Sequence, residues 1–134
     1  MNHYQKTLWM TFLFLVVSST QAQTLPESVK VGFDIIFNRQ LGNCVTCHTL
    51  ELRDKSGTNP LEKQGNFGPN LQGVGKKYTR QELTQWVTDA RKIRPDTLMP
   101  PYGSLEDVKL PNQAKTMLSQ EQIQLVVDAL LTLN

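Results

Sequence analysis

Cys44-Val45-Thr46-Cys47-His48 constrains this chain more than any other stretch. Two cysteines three positions apart, followed at once by histidine, form the attachment pattern of a c-type haem. Each thiol adds to one vinyl group of the porphyrin, and the adjoining imidazole reaches the iron as an axial ligand. The pattern implies one covalently bound haem c, held by thioethers at Cys44 and Cys47, with His48 on the metal.

Other uses of the same residues fit less well. A thioredoxin-like redox pair needs a βαβ context and gains nothing from a histidine directly after it. Structural zinc takes four ligands, whereas Cys44 and Cys47 are the only cysteines, and the one other histidine, His3, lies in a segment expected to be removed. A Cys44–Cys47 disulfide would close too small a loop to staple a fold.

The start of the chain reads as an export signal. Lys6 stands in a short polar opening, residues 8–17 are apolar, and Ser18, Ser19 and Thr20 precede Ala22. The apolar run covers about half of a membrane span, which favours a cleaved signal over an anchor. Cleavage after Ala22 divides the sequence into a signal peptide, 1–22, and a single domain, 23–134. Export to the periplasm agrees with the haem motif, because bacteria attach such haems outside the cytoplasmic membrane. Fourteen basic residues face twelve acidic ones. Removing Lys6 leaves the mature chain nearly neutral, with no basic footprint for nucleic acid.

Three segments carry helical periodicity. Residues 28–41 place Val29, Phe33, Ile36, Phe37 and Leu41 on one face, with Thr24 and Glu27 offering a capping box upstream. A second helix opens at Thr79, reciprocally capped by Glu82, buries Leu83, Trp86, Val87 and Ala90, and ends before Pro95. The third opens at Ser119 with Gln122 and sets Ile123, Val126, Val127, Leu130 and Leu131 at helical spacing to the last residue. Residues 53–77 and 94–118 are rich in glycine and proline and show neither periodicity, as expected of loops wrapped around a cofactor.

His48 is the only histidine after residue 22, so the sixth iron position falls to methionine, the usual alternative. Met99 and Met117 are the candidates. Met99 is favoured, because Leu98-Met99-Pro100-Pro101 restricts the backbone around it, whereas Met117 reads as a core filler. In Gly68-Pro69-Asn70-Leu71, a carbonyl is expected to accept the Nδ1 proton of His48, and Gly73 and Gly75 would let backbone approach the porphyrin. Tyr78 and Trp86 are either core or haem contacts. Arg91, Lys92 and Arg94 either answer a helix C-terminus or form a basic rim for haem propionates or an acidic partner.

Helix, Cys-x-x-Cys-His, Gly-Pro-x-Leu, middle helix, methionine loop and final helix together resemble class I cytochrome c. The resemblance implies an all-α fold of three main helices plus long loops around one haem. It also implies a close crossing of the first and last helices, for which Gly32 is the natural place, against Val126 or Val127 and Leu130. Gly42-Asn43-Cys44, Gly65-Asn66-Phe67-Gly68-Pro69-Asn70-Leu71, Arg94-Pro95-Asp96-Thr97-Leu98-Met99-Pro100-Pro101-Tyr102-Gly103 and the Leu-Ser-Gln-Glu-Gln-Ile run more narrowly resemble SoxX, the monohaem subunit of SoxAX cytochromes. That likeness implies a periplasmic heterodimer with a SoxA-type subunit, an L-cysteine S-thiosulfotransferase that oxidatively joins thiosulfate to a cysteine of the SoxYZ carrier. This chain would carry the electrons and not the sulfur chemistry, since no thiol or second histidine remains to act as nucleophile or base. The alternative is a free-standing cytochrome c that serves an oxidase or another dehydrogenase.

Overall fold

The computed structural model describes residues 24–51, 64–108 and 115–134. The expected signal segment, 1–22, lies outside them, as do 53–63 and 109–114 of the two expected loops. Among the described residues the order is α1 (Glu27–Phe37), a 3₁₀ turn (Cys44–Thr46), α2 (Val74–Lys77), α3 (Arg80–Asp89), a second 3₁₀ turn (Ala90–Lys92) and α4 (Gln120–Leu131), with no strand. The all-α expectation holds. No described helix is long and apolar enough to cross a membrane.

Helix α1 begins differently from the sequence expectation. Its N-cap is Pro26, without a side-chain cap, so the Thr24–Glu27 box does not form. Glu27 is the first helical residue, two positions short of the third, which a capping box needs; it pairs with Lys30 at 3.1 Å instead. The helix also stops at Phe37, short of residue 41. There the chain folds back, with the Gly42 amide donating to the Ile35 carbonyl at 3.1 Å, and Leu41 reaches the core from the turn.

Both other caps form as expected. Thr79 and Glu82 close one box at the start of α3, and Ser119 and Gln122 close another at the start of α4. Leu83, Val87 and Ala90 are buried, as are Ile123, Val126, Val127 and Leu130. Helix α2 was not foreseen within the 53–77 loop. It rests on the far end of the molecule's core: the Gly75 amide donates to the Leu133 carbonyl at 2.9 Å.

Helices α1 and α4 cross at Gly32. A Cβ there would fall onto the Leu125 carbonyl oxygen and lie 2.9 Å from Ala129 Cβ. The crossing is where the sequence put it, but its partners are Leu125 and Ala129, one turn apart, while Val126, Val127 and Leu130 point into the common core. Backbone approaches side chain and backbone here without a methyl between them, which draws Val29, Phe33 and Ile36 against α4 and buries each of them.

Two substitutions separate crossing from capping. Gly32→Val must spread the helices and costs about 3 kcal/mol, the upper part of the overpacking range. Ser119→Ala costs about 1 kcal/mol, the worth of one N-cap. Urea denaturation of the haem-loaded protein followed by far-ultraviolet circular dichroism checks both, and a smaller loss for Gly32→Val than for Ser119→Ala contradicts the crossing.

Candidate functional site

The attachment turn is built locally. After α1, Asn43 takes a left-handed conformation (φ 48°) and starts the 3₁₀ turn; asparagine tolerates this better than most residues. Its side-chain oxygen accepts from Thr46 Oγ1 at 2.6 Å. The Cys44 carbonyl accepts from both Cys47 (3.1 Å) and His48 (2.9 Å) amides. Buried Val45 anchors the turn in the core, and Cys44 and Cys47 both face one cavity.

His48 is fixed from two sides. Its Nδ1 donates to the Pro69 carbonyl at 2.6 Å, as Gly68-Pro69-Asn70-Leu71 was expected to arrange, which leaves Nε2 for a metal. Gly68 lies flat against the ring: a Cβ there would stand 2.6 Å from Cε1 and 2.8 Å from Nδ1. The two segments are sewn together by backbone, with the Gly68 amide donating to Cys47 at 2.6 Å, Gly65 to Val45 at 2.8 Å and Leu71 to Thr49 at 2.9 Å.

The cavity measures about 440 Å³ and collects residues between Asn43 and Leu130, within the size range of cofactor pockets. Cys44, Cys47, His48 and Met99 line it, among apolar Leu71, Val74, Leu83, Val87 and Leu130. Two thiols and one imidazole with a free nitrogen are the donors that attachment of a haem c uses, and a thioether and aliphatic walls fit the rest of its surface. Met99 packs against the core and its amide donates to Thr97 Oγ1 at 3.2 Å. Met117 is 39% exposed and does not line the cavity. It is therefore not the core filler that the sequence suggested; it precedes the buried Leu118, and alternation turns it outward.

Tyr78 and Trp86 both line the cavity, edge to face with centroids 6.4 Å apart. Gly73 lines it too, with φ at 81°, whereas a Cβ on Gly75 would meet the Leu131 carbonyl, so Gly75 serves the α2–α4 contact and not the cavity. Of the three basic residues, Arg94 lines the cavity while its Nε donates to Asp96 at 3.2 Å. Arg91 and Lys92 are bound to Asp89 and Glu106.

Sequence reasoning passed over Tyr102. It is 8% exposed, lines the cavity, and its side chain hydrogen-bonds Cys44. A tyrosine three residues beyond Met99 in a loop otherwise short of bulk was the available signal. Before any thioether forms, burial pushes the Cys44 thiol up to about 11, with the neighbouring Cys47 adding to the rise and the Tyr102 hydrogen bond opposing it. Burial likewise raises the Tyr102 phenol. A protonated, desolvated thiol is the reverse of the activated thiolate that a dithiol oxidoreductase uses.

Residues 34–134 match the family model of cytochrome c. The chain belongs to the cytochrome c family. Family membership brings a covalently bound haem c and electron transfer, and the Cys44, Cys47 and His48 spacing suits that attachment. Among solved structures, the chain is similar to a chain in the crystal structure of SoxXA from P. pantotrophus, at 27% identity and a TM-score of 0.70, over 81% of this chain and 83% of that one. No curated protein matches the sequence significantly.

Gly68→Ala tests the seat of His48 in this cytochrome. The added methyl displaces the imidazole and weakens its bond to Pro69, so the expected outcome is a haem spectrum with a shifted Soret band and a less stable fold by about 1–3 kcal/mol. An unchanged spectrum with unchanged stability contradicts the packing described.

Proposed function

We propose that this cytochrome is the electron-transfer subunit of a periplasmic SoxAX-type complex, with Cys44 and Cys47 as the haem thioethers and His48 and Met99 as the axial iron ligands. The observation that carries the site assignment is the convergence of those four residues on one cavity that Met117 does not reach. The similarity to the SoxXA chain and the Arg94-Pro95-Asp96-Thr97-Leu98-Met99-Pro100-Pro101 string support the complex.

Haem, when bound, supplies reversible one-electron oxidation and reduction. The chain's residues set the conditions for it. His48 offers Nε2 because Pro69 holds the proton on Nδ1. Met99 would offer the iron a soft sulfur, which favours the reduced state, and Met99 and His48 together would hold the metal for electron transfer and not for substrate. Leu71, Leu83, Val87 and Leu130 would keep water from the macrocycle, and Arg94, which also lines the cavity, would be available to a propionate. In this role the chain accepts electrons released when a SoxA-type partner joins thiosulfate to a cysteine of SoxYZ, and passes them on. Residues 1–22 direct export and are removed, leaving 23–134 as the cytochrome domain.

Two measurements test this reading. Met99→Ala is expected to abolish the near-infrared band of methionine-ligated ferric haem and to lower the reduction potential, whereas Met117→Ala leaves both unchanged; the opposite pattern sinks the ligand assignment. Isolation from the native host under mild conditions is expected to bring a second haem-bearing subunit in stable complex. Recovery as a monomer reduced equally well by unrelated donors overturns the SoxAX assignment and leaves a free-standing carrier.

A further inference from the structure

Asp89 is the one buried charged side chain among the described residues, 3% exposed, and the haem site makes no use of it. It ends α3, where its backbone leaves helical geometry at φ −160° and ψ 93°. Arg91 grips it in a fork: Nε donates to Oδ1 at 2.8 Å and Nη2 to Oδ2 at 2.7 Å. The Arg91 amide also donates to Oδ1 at 3.2 Å, and the Ser104 side chain adds a hydrogen bond from across the loop.

The same Arg91 Nη2 donates to the Glu106 carbonyl at 2.7 Å. Its neighbour Lys92 pairs with the Glu106 carboxylate, and the Gly103 amide donates to the Thr88 carbonyl at 3.0 Å. Residues 93–105 therefore leave and return to one guanidinium, and Met99 stands at their midpoint. Exposed ion pairs contribute little. A pair whose carboxylate is buried is different, because loosening the half-buried Arg91 leaves the Asp89 charge buried without its counterion, and that charge lies at the base of the loop.

We infer that the Asp89–Arg91 fork is the latch that holds the Met99 loop closed, which makes Asp89 and Arg91 positioning residues for the sixth iron ligand. The inference rests on Met99 being that ligand. Imidazole added to the holoprotein can occupy the iron only when Met99 has swung away, so its apparent affinity scales with the fraction of molecules whose loop is open. Arg91→Lys keeps the charge but loses the fork, and Asp89→Asn keeps the shape but loses the ion pair.

Imidazole titration of the holoprotein, followed by haem absorbance, is the experiment. Each variant is expected to bind imidazole about tenfold more tightly than the parent, a change of about 1.4 kcal/mol in loop closure. Amide exchange at Met99 and Gly103 should quicken while exchange at Val126 and Val127 does not. Lys30→Met, which removes an exposed pair on α1, should leave imidazole affinity unchanged. If either folded variant binds imidazole as the parent does, even with a lower unfolding midpoint, the fork is structural only and the inference falls. Arg91→Lys carries the test should Asp89→Asn not fold. In a Met99→Ala background the Arg91→Lys effect should vanish, since no methionine remains to displace; an effect of equal size there also overturns the latch. Survival of the methionine band in Met99→Ala would instead refute the ligand assignment, a separate failure.

Discussion

The contact of Gly32 with Leu125 and Ala129 is the constraint on which the other parts of this structure depend. It brings the helix that precedes the attachment motif against the last helix, with residues 38–119 of the chain between them. With that contact made, α4 offers Leu130 to the cavity, and Leu133 just after it offers its carbonyl to the Gly75 amide. The short α2 is then held where Gly73 and Val74 complete the wall beside His48. A single missing methyl thus sets the separation of two helices and, through them, the width of the space left for a cofactor.

How far the sequence could be read depended on whether the information was local. The boxes at Thr79 and Ser119 are reciprocal hydrogen bonds within four residues, and both formed as read. The His48–Pro69 bond was legible because a Gly-Pro turn placed about twenty residues after a haem motif has a limited set of uses. Thr24 and Glu27 have the right residue types but the wrong register, since Pro26 starts the helix itself. Helix α2 is too short for periodicity to reveal, and it exists because Gly75 packs against α4. Asp89 was invisible for a related reason: an aspartate at a helix C-terminus looks like a solvated charge until the fold shows that Arg91 and a returning loop have buried it.

The site divides its labour between rigid and returning segments. Cys44 to His48 hang from the end of α1 and are held by backbone bonds to residues 65–71, so this side of the cavity is set by secondary structure and a short tie. The opposite ligand comes from a loop with two prolines, whose own sequence limits its shape but not its position. Position comes from Tyr102 and Gly103, tied to Leu118 and Thr88 by backbone, and from the ion pair at the loop's base. In the proposed assignment both thiols are committed to haem and no second histidine remains in the domain, so the chain offers a partner an electron path without offering its substrate a nucleophile.

The pairing of charge around the methionine loop has one more consequence. Arg91, Lys92 and Arg94 stand out in the sequence as a cationic cluster, yet each meets a carboxylate of its own neighbourhood: Asp89, Glu106 and Asp96. Three close ion pairs project a field of dipoles, which decays with distance faster than that of a net charge and is screened within a Debye length of about 10 Å in 0.1 M salt. This edge of the cavity therefore does little to draw a distant partner in by charge. What this edge would offer a partner at short range is apolar instead: Leu98 and Phe67 both line the cavity and stand exposed.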